Sequence, residues 1–392
     1  MKNLIIIGNT SDNPVAIDIA HFCSQLVDVS DVIALKDFQN TEFCPRFISD
    51  EEDLNTVGYY LKDKTVAIVS TSGTDSRNEL AMKNIIIARA AIDNGAKDVI
   101  LVEPDLFYSC QDRGPREGQT YFGGIRDVAD RKKFDGQPFT AYLYAELLKM
   151  AGVSKVVTVH NHSLSTQNLF KERFDGHVYN FTPADLFAHY LCNSGIIETD
   201  KIVLCAPDKG ASPLIDLVKS EVEKLGVGAS VLQMDKDRTG ERTITMKASE
   251  TSEIGLDDVE GRDVIVFDDM VRTGTTIVKC CRIIKEFNPR RIIFCVTHFH
   301  SSSETREKLS DPSIDEIVTT NSIPTILNRD TQGRLRKKIV VLKVERWIAK
   351  HLYEVMEFDQ SKFEKGSLYS VDISSKNPRW ELSMNMNING NR

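Results

Sequence analysis

The sequence predicts two α/β domains, each a mainly parallel sheet flanked by helices. Three observations carry that expectation. Short apolar runs of strand length recur through most of the chain, each followed by a turn signal. Longer segments with helical spacing lie between them, and strands separated by helices pair in parallel. The chain has 392 residues, more than one core of ordinary size takes up.

In chain order the runs are NLIIIG, TVAIVST, DVILVEP, KVVTVH, KIVLCAP, ASVLQMD, DVIVFDD, RIIFCVTH and DEIVTT. They are continuous rather than alternating, which implies burial on both faces. Helical segments include NPVAIDIAHFCSQLV, NELAMKNIIIARAAIDNGA, AYLYAELLKMAG and TTIVKCCRIIKEF, of which the second and third close on glycine, a favoured helix end. A change of domain is expected at the aromatic, proline-containing connector GHVYNFTPADLFAHYL. This gives an N-terminal domain over 1–180, a second over 181–342, and a C-terminal helix with a polar, asparagine-rich tail over 343–392. Residues 114–139 are rich in glycine and charge without a sustained period, so a long exposed loop is expected there.

Composition narrows the function classes. With 41% hydrophobic and 27% charged residues the chain is an ordinary globular one. Forty-nine basic residues stand against fifty-seven acidic ones, and no basic block marks a nucleic-acid footprint. A small anionic ligand therefore needs a locally basic pocket. The N-terminal stretch MKNLIIIGNTSDNP turns polar too soon for a signal peptide or a membrane span and reads as a first strand and its turn. Eight cysteines occur without CxxC or zinc-type spacing, and Cys205, Cys280 and Cys295 fall in or beside apolar runs. That usage fits free thiols in a reducing compartment, the cytoplasm.

The most informative stretch is VIVFDDMVRTGTTIVKC, residues 264–280. A buried strand is expected to end at Phe267 and a helix to begin at Thr275 or Thr276. Arg272, Thr273, Gly274, Thr275 and Thr276 then offer backbone N–H groups, hydroxyls and a helix N-terminus to one anion, and a phosphate is the natural occupant. The loop lacks the lysine and spacing of GxxxxGK[ST], and the chain has no GxGxxG. Asp268 and Asp269 stand where a sugar on that phosphate would lie, and two acceptors suit two vicinal hydroxyls. The ligand suggested is a ribose carrying a 5-phosphate. The bland reading, in which these acids and threonines only cap a turn and a helix, leaves their combination unexplained.

The sequence resembles the ribose-phosphate pyrophosphokinases, also called phosphoribosyl-pyrophosphate synthetases. VIVFDDMVRTGTT is similar to their ribose 5-phosphate loop, YSCQDRG to their Tyr-Ala-Arg-Gln-Asp-Arg segment, KVVTVHNH to a strand ending in a metal-binding histidine, and VLCAPDKGA to a Ser-Pro-Asp-x-Gly-Gly stretch. MDKDR looks like the start of their catalytic flexible loop, and the segment from VTHFHSSSE to TTNSIP resembles their last strand–helix–strand unit. These matches follow in family order across residues 40–325. The resemblance implies two phosphoribosyltransferase-like domains and transfer of the β,γ-diphosphoryl group of ATP to the anomeric hydroxyl of a ribose 5-phosphate, with magnesium required and AMP released. It further implies a homo-oligomer, a dimer or hexamer.

The same resemblance distributes roles. Lys236 and Arg238 match the catalytic lysine and arginine, on a polar segment whose closure would exclude water. His162 and Asp208 match positions around magnesium. That ion prefers oxygen ligands, which makes Asp208 the chemically safer of the two. Gln111, Asp112 and Arg113 match the nucleotide segment. Phe47, Asp50 and Glu52 resemble a segment that reaches the adenine from a neighbouring subunit, although the glycine of the family's Phe-Ser-Asp-Gly-Glu is missing.

Three departures fall inside the motifs: Arg272 stands where the family has an acid, Thr275 where it has a second glycine, and Cys110 where it has an arginine. An arginine beside the phosphate favours a more anionic or larger group at the 5 position. A side chain at 275 restricts backbone approach. Together they suggest a 5-substituted ribose acceptor such as ADP-ribose. A phosphoribosyltransferase and a catalytically silent homologue that regulates a true synthetase are the alternatives.

Overall fold

The structure is a computed structural model. It describes residues 3–49, 51–73, 75–121, 125–198, 201–238 and 244–372, with the side chains of 236–238, 244 and 245 excepted. The chain divides into two compact units, one of Met1–Phe181 with Glu345–Gly366, the other of Thr182–Val344 with the segment from Ser367 on.

In the first unit the strands are β1 (Leu4–Gly8), β2 (Ile33–Asp37), β3 (Phe43–Phe47), β4 (Thr65–Val69), β5 (Asp98–Val102), β6 (Lys155–Val159) and β7 (Val178–Phe181). Among the described residues, β1, β4, β5, β6 and β7 form one sheet in the order β1-β4-β5-β6-β7, every neighbouring pair parallel. β4 is TVAIV and is buried at every position, as a central strand covered on both faces must be. β2 and β3 form a separate antiparallel hairpin.

Each crossover helix has a local reason for its ends. The helix Pro14–Phe22 starts with proline at its first position, and the Asn13 side chain accepts from the N–H groups of Val15 and Ala16. Ser76 caps Arg77–Asp93 by accepting from Glu79 N at 3.2 Å. The helix Thr140–Ala151 ends at Gly152 with φ 102°, where a β-carbon would stand 2.4 Å from Ile92 Cγ1, so both backbone and packing require glycine. The expected C-terminal helix forms as Glu345–Val355 and packs in this unit against the helix Pro14–Phe22, where Tyr353 donates its hydroxyl to the Cys23 carbonyl at 3.1 Å.

The second unit contains β8 (Lys201–Ala206), β9 (Gly228–Arg238), β10 (Ile244–Ala248), β11 (Asp263–Val271), β12 (Arg291–Phe299), β13 (Glu316–Thr320), β14 (Ile339–Lys343) and β15 (Ser370–Val371). Their order among the described residues is β10-β9-β8-β11-β12-β13-β14-β15, parallel except for the two edge strands. Successive strand residues face opposite sides. Val264, Val266, Phe294 and Val296 accordingly join Ile277, Cys281 and Ile284 of the helix Thr275–Lys285 in one core. Ile265, Phe267, Ile293 and Cys295 join the helices Ala184–Asn193 and Ser212–Lys224 in another.

Two expectations change here. β11 does not stop at Phe267: it stays paired with an equally long β12 through Val271 opposite Phe299, so Asp268 and Asp269 belong to the strand. The segment holding Lys236 and Arg238, expected as a mobile loop, has strand backbone, because β9 pairs antiparallel with β10 from Met234 opposite Ala248 to Arg238 opposite Ile244. No helix among the described residues is long and apolar enough to cross a membrane.

Candidate active site

In open α/β sheets ligands gather at the carboxyl ends of the strands. In the second unit that edge carries Asp208 just after β8, Asp268 and Asp269 near the end of β11, and the loop between β11 and the next helix. The helix begins at Thr275, as the sequence suggested, with Gly274 in the left-handed conformation at φ 75° before it. Gly274 has a packing reason as well: a β-carbon there would lie 3.0 Å from Leu309 Cδ2. Arg272, Thr273 and Thr275 are exposed and Thr276 is half-buried, so the loop presents side chains as well as backbone donors to solvent. Thr273 Oγ1 and Thr275 Oγ1 stand 3.4 Å apart.

The acids behind this loop repel one another. Asp269 N donates to Asp268 Oδ1 at 3.0 Å. Burial, then the carboxylates of Asp269 and Asp208, push the Asp268 carboxyl well above the usual range. Asp208 turns part of its charge inward, accepting from Gly210 N at 3.0 Å at the start of the short turn Lys209–Ala211. A cluster of this kind is stabilised by a cation or by hydroxyl donors, and both are what a phosphorylated sugar with its counterion brings.

In the first unit His162 lies in the turn after β6. Asn161 holds that turn: its N–H donates to Asn180 Oδ1 at 2.8 Å, and its Oδ1 accepts from Ser163 N at 2.9 Å. His162 is exposed, with Nε2 3.9 Å from the thiol of Cys110. The cysteine that departs from the family pattern therefore touches the histidine that matches it, a meeting of residues 52 apart in sequence.

The nucleotide-segment candidates separate by environment. Gln111 is exposed. Asp112 is buried, accepting Ser163 Oγ at 2.7 Å on Oδ2 and Ser165 Oγ at 2.9 Å on its carbonyl, so it fastens the segment to the start of the helix Leu164–Arg173. The Arg113 guanidinium lies 4.8 Å from the Phe134 ring centre, and Arg126 lies 4.9 Å from the same ring. The stretch 114–139, expected as an exposed loop, thus carries an organised cluster and a short helix, Val128–Lys132. Arg126 also donates to Asp130 and to the Gly114 carbonyl, each at 2.7 Å. Arginine stacking on Phe134, invisible to periodicity, joins the described parts of this segment.

Phe47, on β3, is buried at 5% exposure. Glu52 is exposed, and Asp50 lies outside the described residues. Lys236 and Arg238 are described in backbone only. One further residue escaped the sequence reading: Lys308, on the helix Ser303–Leu309, donates to Thr275 Oγ1 at 2.7 Å. Its only sequence signal was a lysine in the charged run SETREKL.

Comparison with known proteins adds to this geometry. A family model for the phosphoribosyl transferase domain matches residues 185–328, the span that holds β8 to β13. The ribose-phosphate pyrophosphokinase of Thermotoga maritima is 30% identical over 235 residues, 60% of this chain and 67% of that one. Ribose-phosphate pyrophosphokinase 4 of Saccharomyces cerevisiae is 27% identical over 282 residues, 71% of this chain and 76% of its own. That of Corynebacterium efficiens is 26% identical over 356 residues, covering 91% and 94%. In fold, the crystal structure of phosphoribosylpyrophosphate synthetase from Mycobacterium smegmatis superimposes with a TM-score of 0.67 at 22% identity, covering 91% of this chain and 99% of that one. The chain accordingly has the α/β fold of that synthetase, with a phosphoribosyl transferase domain in the second unit, and it belongs to the ribose-phosphate pyrophosphokinases and is a diphosphotransferase.

Proposed function

We propose that the chain transfers the β,γ-diphosphoryl group of ATP to the anomeric hydroxyl of a ribose whose 5-phosphate sits in the loop 272–276, releasing AMP. The observation that carries this reading is the junction of Asp268 and Asp269, at the end of β11, with an exposed Thr/Gly loop that opens a helix. Backbone N–H groups and the helix N-terminus favour the phosphate. The aspartates accept from ribose hydroxyls, which fixes the ring and aims its anomeric oxygen. Diphosphoryl transfer asks for in-line placement and neutralisation of charge more than for covalent chemistry. Lys236 and Arg238 are the side chains assigned to the transferring group, and Gln111 with Arg113 to the nucleotide.

Magnesium fits the donors of the second unit. Asp208 and Asp268 offer hard oxygen atoms at one sheet edge, the donor type that magnesium prefers. His162, with a thiol 3.9 Å away, is a softer pair and suits the ion less well. When bound, the ion neutralises charge on the diphosphoryl oxygens.

The acceptor we favour is a 5-substituted ribose such as ADP-ribose rather than free ribose 5-phosphate, because Arg272 and Thr275 add a cation and a hydroxyl where the family pattern has an acid and a glycine. A homo-oligomer and a cytoplasmic setting follow from the family resemblance, and sedimentation of the purified chain reads the first. The test of the reaction is mass spectrometry of products from ATP, magnesium and a panel of ribose acceptors. AMP together with an acceptor heavier by one diphosphoryl group supports the reading, and no AMP with any acceptor contradicts it.

A further inference from the structure

The helix Ser303–Leu309 is the wall against which the anion loop folds. Thr305 donates its hydroxyl to the Arg272 carbonyl. Leu309 fills the space beside Gly274, with Cγ 3.1 Å and Cδ2 3.0 Å from where a β-carbon would stand. Lys308 Nζ donates to Thr275 Oγ1 at 2.7 Å and to Glu304 Oε1 at 2.6 Å, with its side chain 36% exposed. An ammonium carries three N–H groups, so these two acceptors leave one for a ligand.

The contact depends on an unusual residue. A glycine at position 275 would have no hydroxyl to hold the lysine, so threonine there and Lys308 act as a pair. Arg272 comes two residues before Gly274, and Lys308 is bound to the residue that follows Gly274, so the loop has a cationic residue on either side of that glycine. On the proposed reading, the backbone N–H groups of the loop and the hydroxyls of Thr273 and Thr276 are donors enough for a phosphate monoester. A second cation exceeds what that monoester needs and matches a phosphate linked onward to another.

We infer that Lys308, held by Thr275, is a specificity-determining residue that contacts the outer phosphate of a diphosphate-linked ribose, the chemical class being a nucleoside diphosphate ribose. This rests on the reading of loop 272–276 as the ribose-phosphate site. Glu304 keeps the ammonium at the loop instead of in solvent. The competing account is a solvated i,i+4 pair on a helix surface, which influences no ligand.

The experiment is calorimetric binding to the full chain, with ADP-ribose and ribose 5-phosphate titrated separately into wild type, Lys308→Gln and Lys308→Arg. The glutamine variant should bind ADP-ribose about tenfold more weakly while ribose 5-phosphate changes by less than about twofold, the loss expected for one charged hydrogen bond. The arginine variant should keep most of the ADP-ribose affinity. Equal weakening of both ligands, no weakening of either, or no binding of ADP-ribose to wild type each overturns the assignment. AMP release is scored separately. Lys308-dependent binding of ADP-ribose without any turnover would overturn the diphosphoryl-transfer reading and leave the Lys308 assignment standing.

Discussion

Tyr144 donates its hydroxyl to Glu103 Oε1 at 3.0 Å inside the first unit, where neither side chain reaches solvent. The same oxygen accepts from Ser70 at 3.0 Å and from Asn84 at 2.9 Å, and Oε2 accepts from Phe107 N at 2.9 Å. Burial outweighs these donors and raises the Glu103 carboxyl to about 7. Its ordinary value, 4.5, applies once the chain unfolds. The folded form thus keeps a proton that the unfolded form releases, so this group's contribution is full below pH 4.5 and is lost as pH rises to about 7. The loss is on the order of 3 kcal/mol. Urea unfolding of wild type and Glu103→Gln at pH 5 and pH 7.5 should reveal it as a pH slope present in wild type and absent from the variant.

Gly274 stands in the left-handed region at φ 75° with Leu309 against it. Gly274→Ala should lower stability by about 1–2 kcal/mol, since an alanine must take a strained backbone and displace a packed leucine. The loop hangs on this residue, so acceptor binding should weaken as well. Thermal unfolding and calorimetry on the same sample check both effects.

Ser163 caps the helix Leu164–Arg173 by accepting from Thr166 N at 3.0 Å, and its hydroxyl donates to Asp112. Ser163→Ala should cost about 1 kcal/mol for the lost cap. It also frees the segment that carries Gln111 and Arg113. The expected result is a raised KM for ATP with the KM for the sugar unchanged, measured by initial rates at saturating co-substrate.

Much of this fold was legible because its central strands are buried on both faces. Runs such as TVAIV and DVIVF are short and rich in β-branched residues, which favours a strand over a buried helix, and each became a parallel strand. The hairpin of β2 and β3 was not legible: IALKD and FCPRF mix exposed charge, a proline and aromatic residues, and of their ten residues only the facing pair Ile33 and Phe47 is buried, too little for a periodic signal. The reach of β11 past Phe267 was hidden for a related reason, since polar residues continue a strand when a long neighbour such as β12 supplies partners. At the site, the acids and threonines could be read because they are contiguous. Lys308 against Thr275 and Cys110 against His162 join residues 33 and 52 positions apart, and only the folded chain brings them together.

Asp268→Asn and Asp269→Asn should each lower kcat/KM for the ribose acceptor by about 10- to 100-fold, the range for losing charged hydrogen bonds to hydroxyls. ATP binding should be unaffected by Asp269→Asn, whereas Asp268→Asn, which also removes a proposed magnesium donor, should weaken magnesium-dependent ATP binding as well. Equilibrium dialysis with labelled ATP, run beside the kinetics, separates the two effects.

The central claim is that the diphosphoryl group moves intact to the anomeric oxygen. Phosphorus-31 spectroscopy of the full chain with ATP, magnesium and a ribose 5-phosphate acceptor tests it most directly. The account predicts AMP and a diphosphate ester at the anomeric carbon, formed in equal amounts. ADP with a sugar that carries a single phosphate at the anomeric carbon beside its 5-phosphate, or an unchanged acceptor spectrum with every ribose tried, would contradict it.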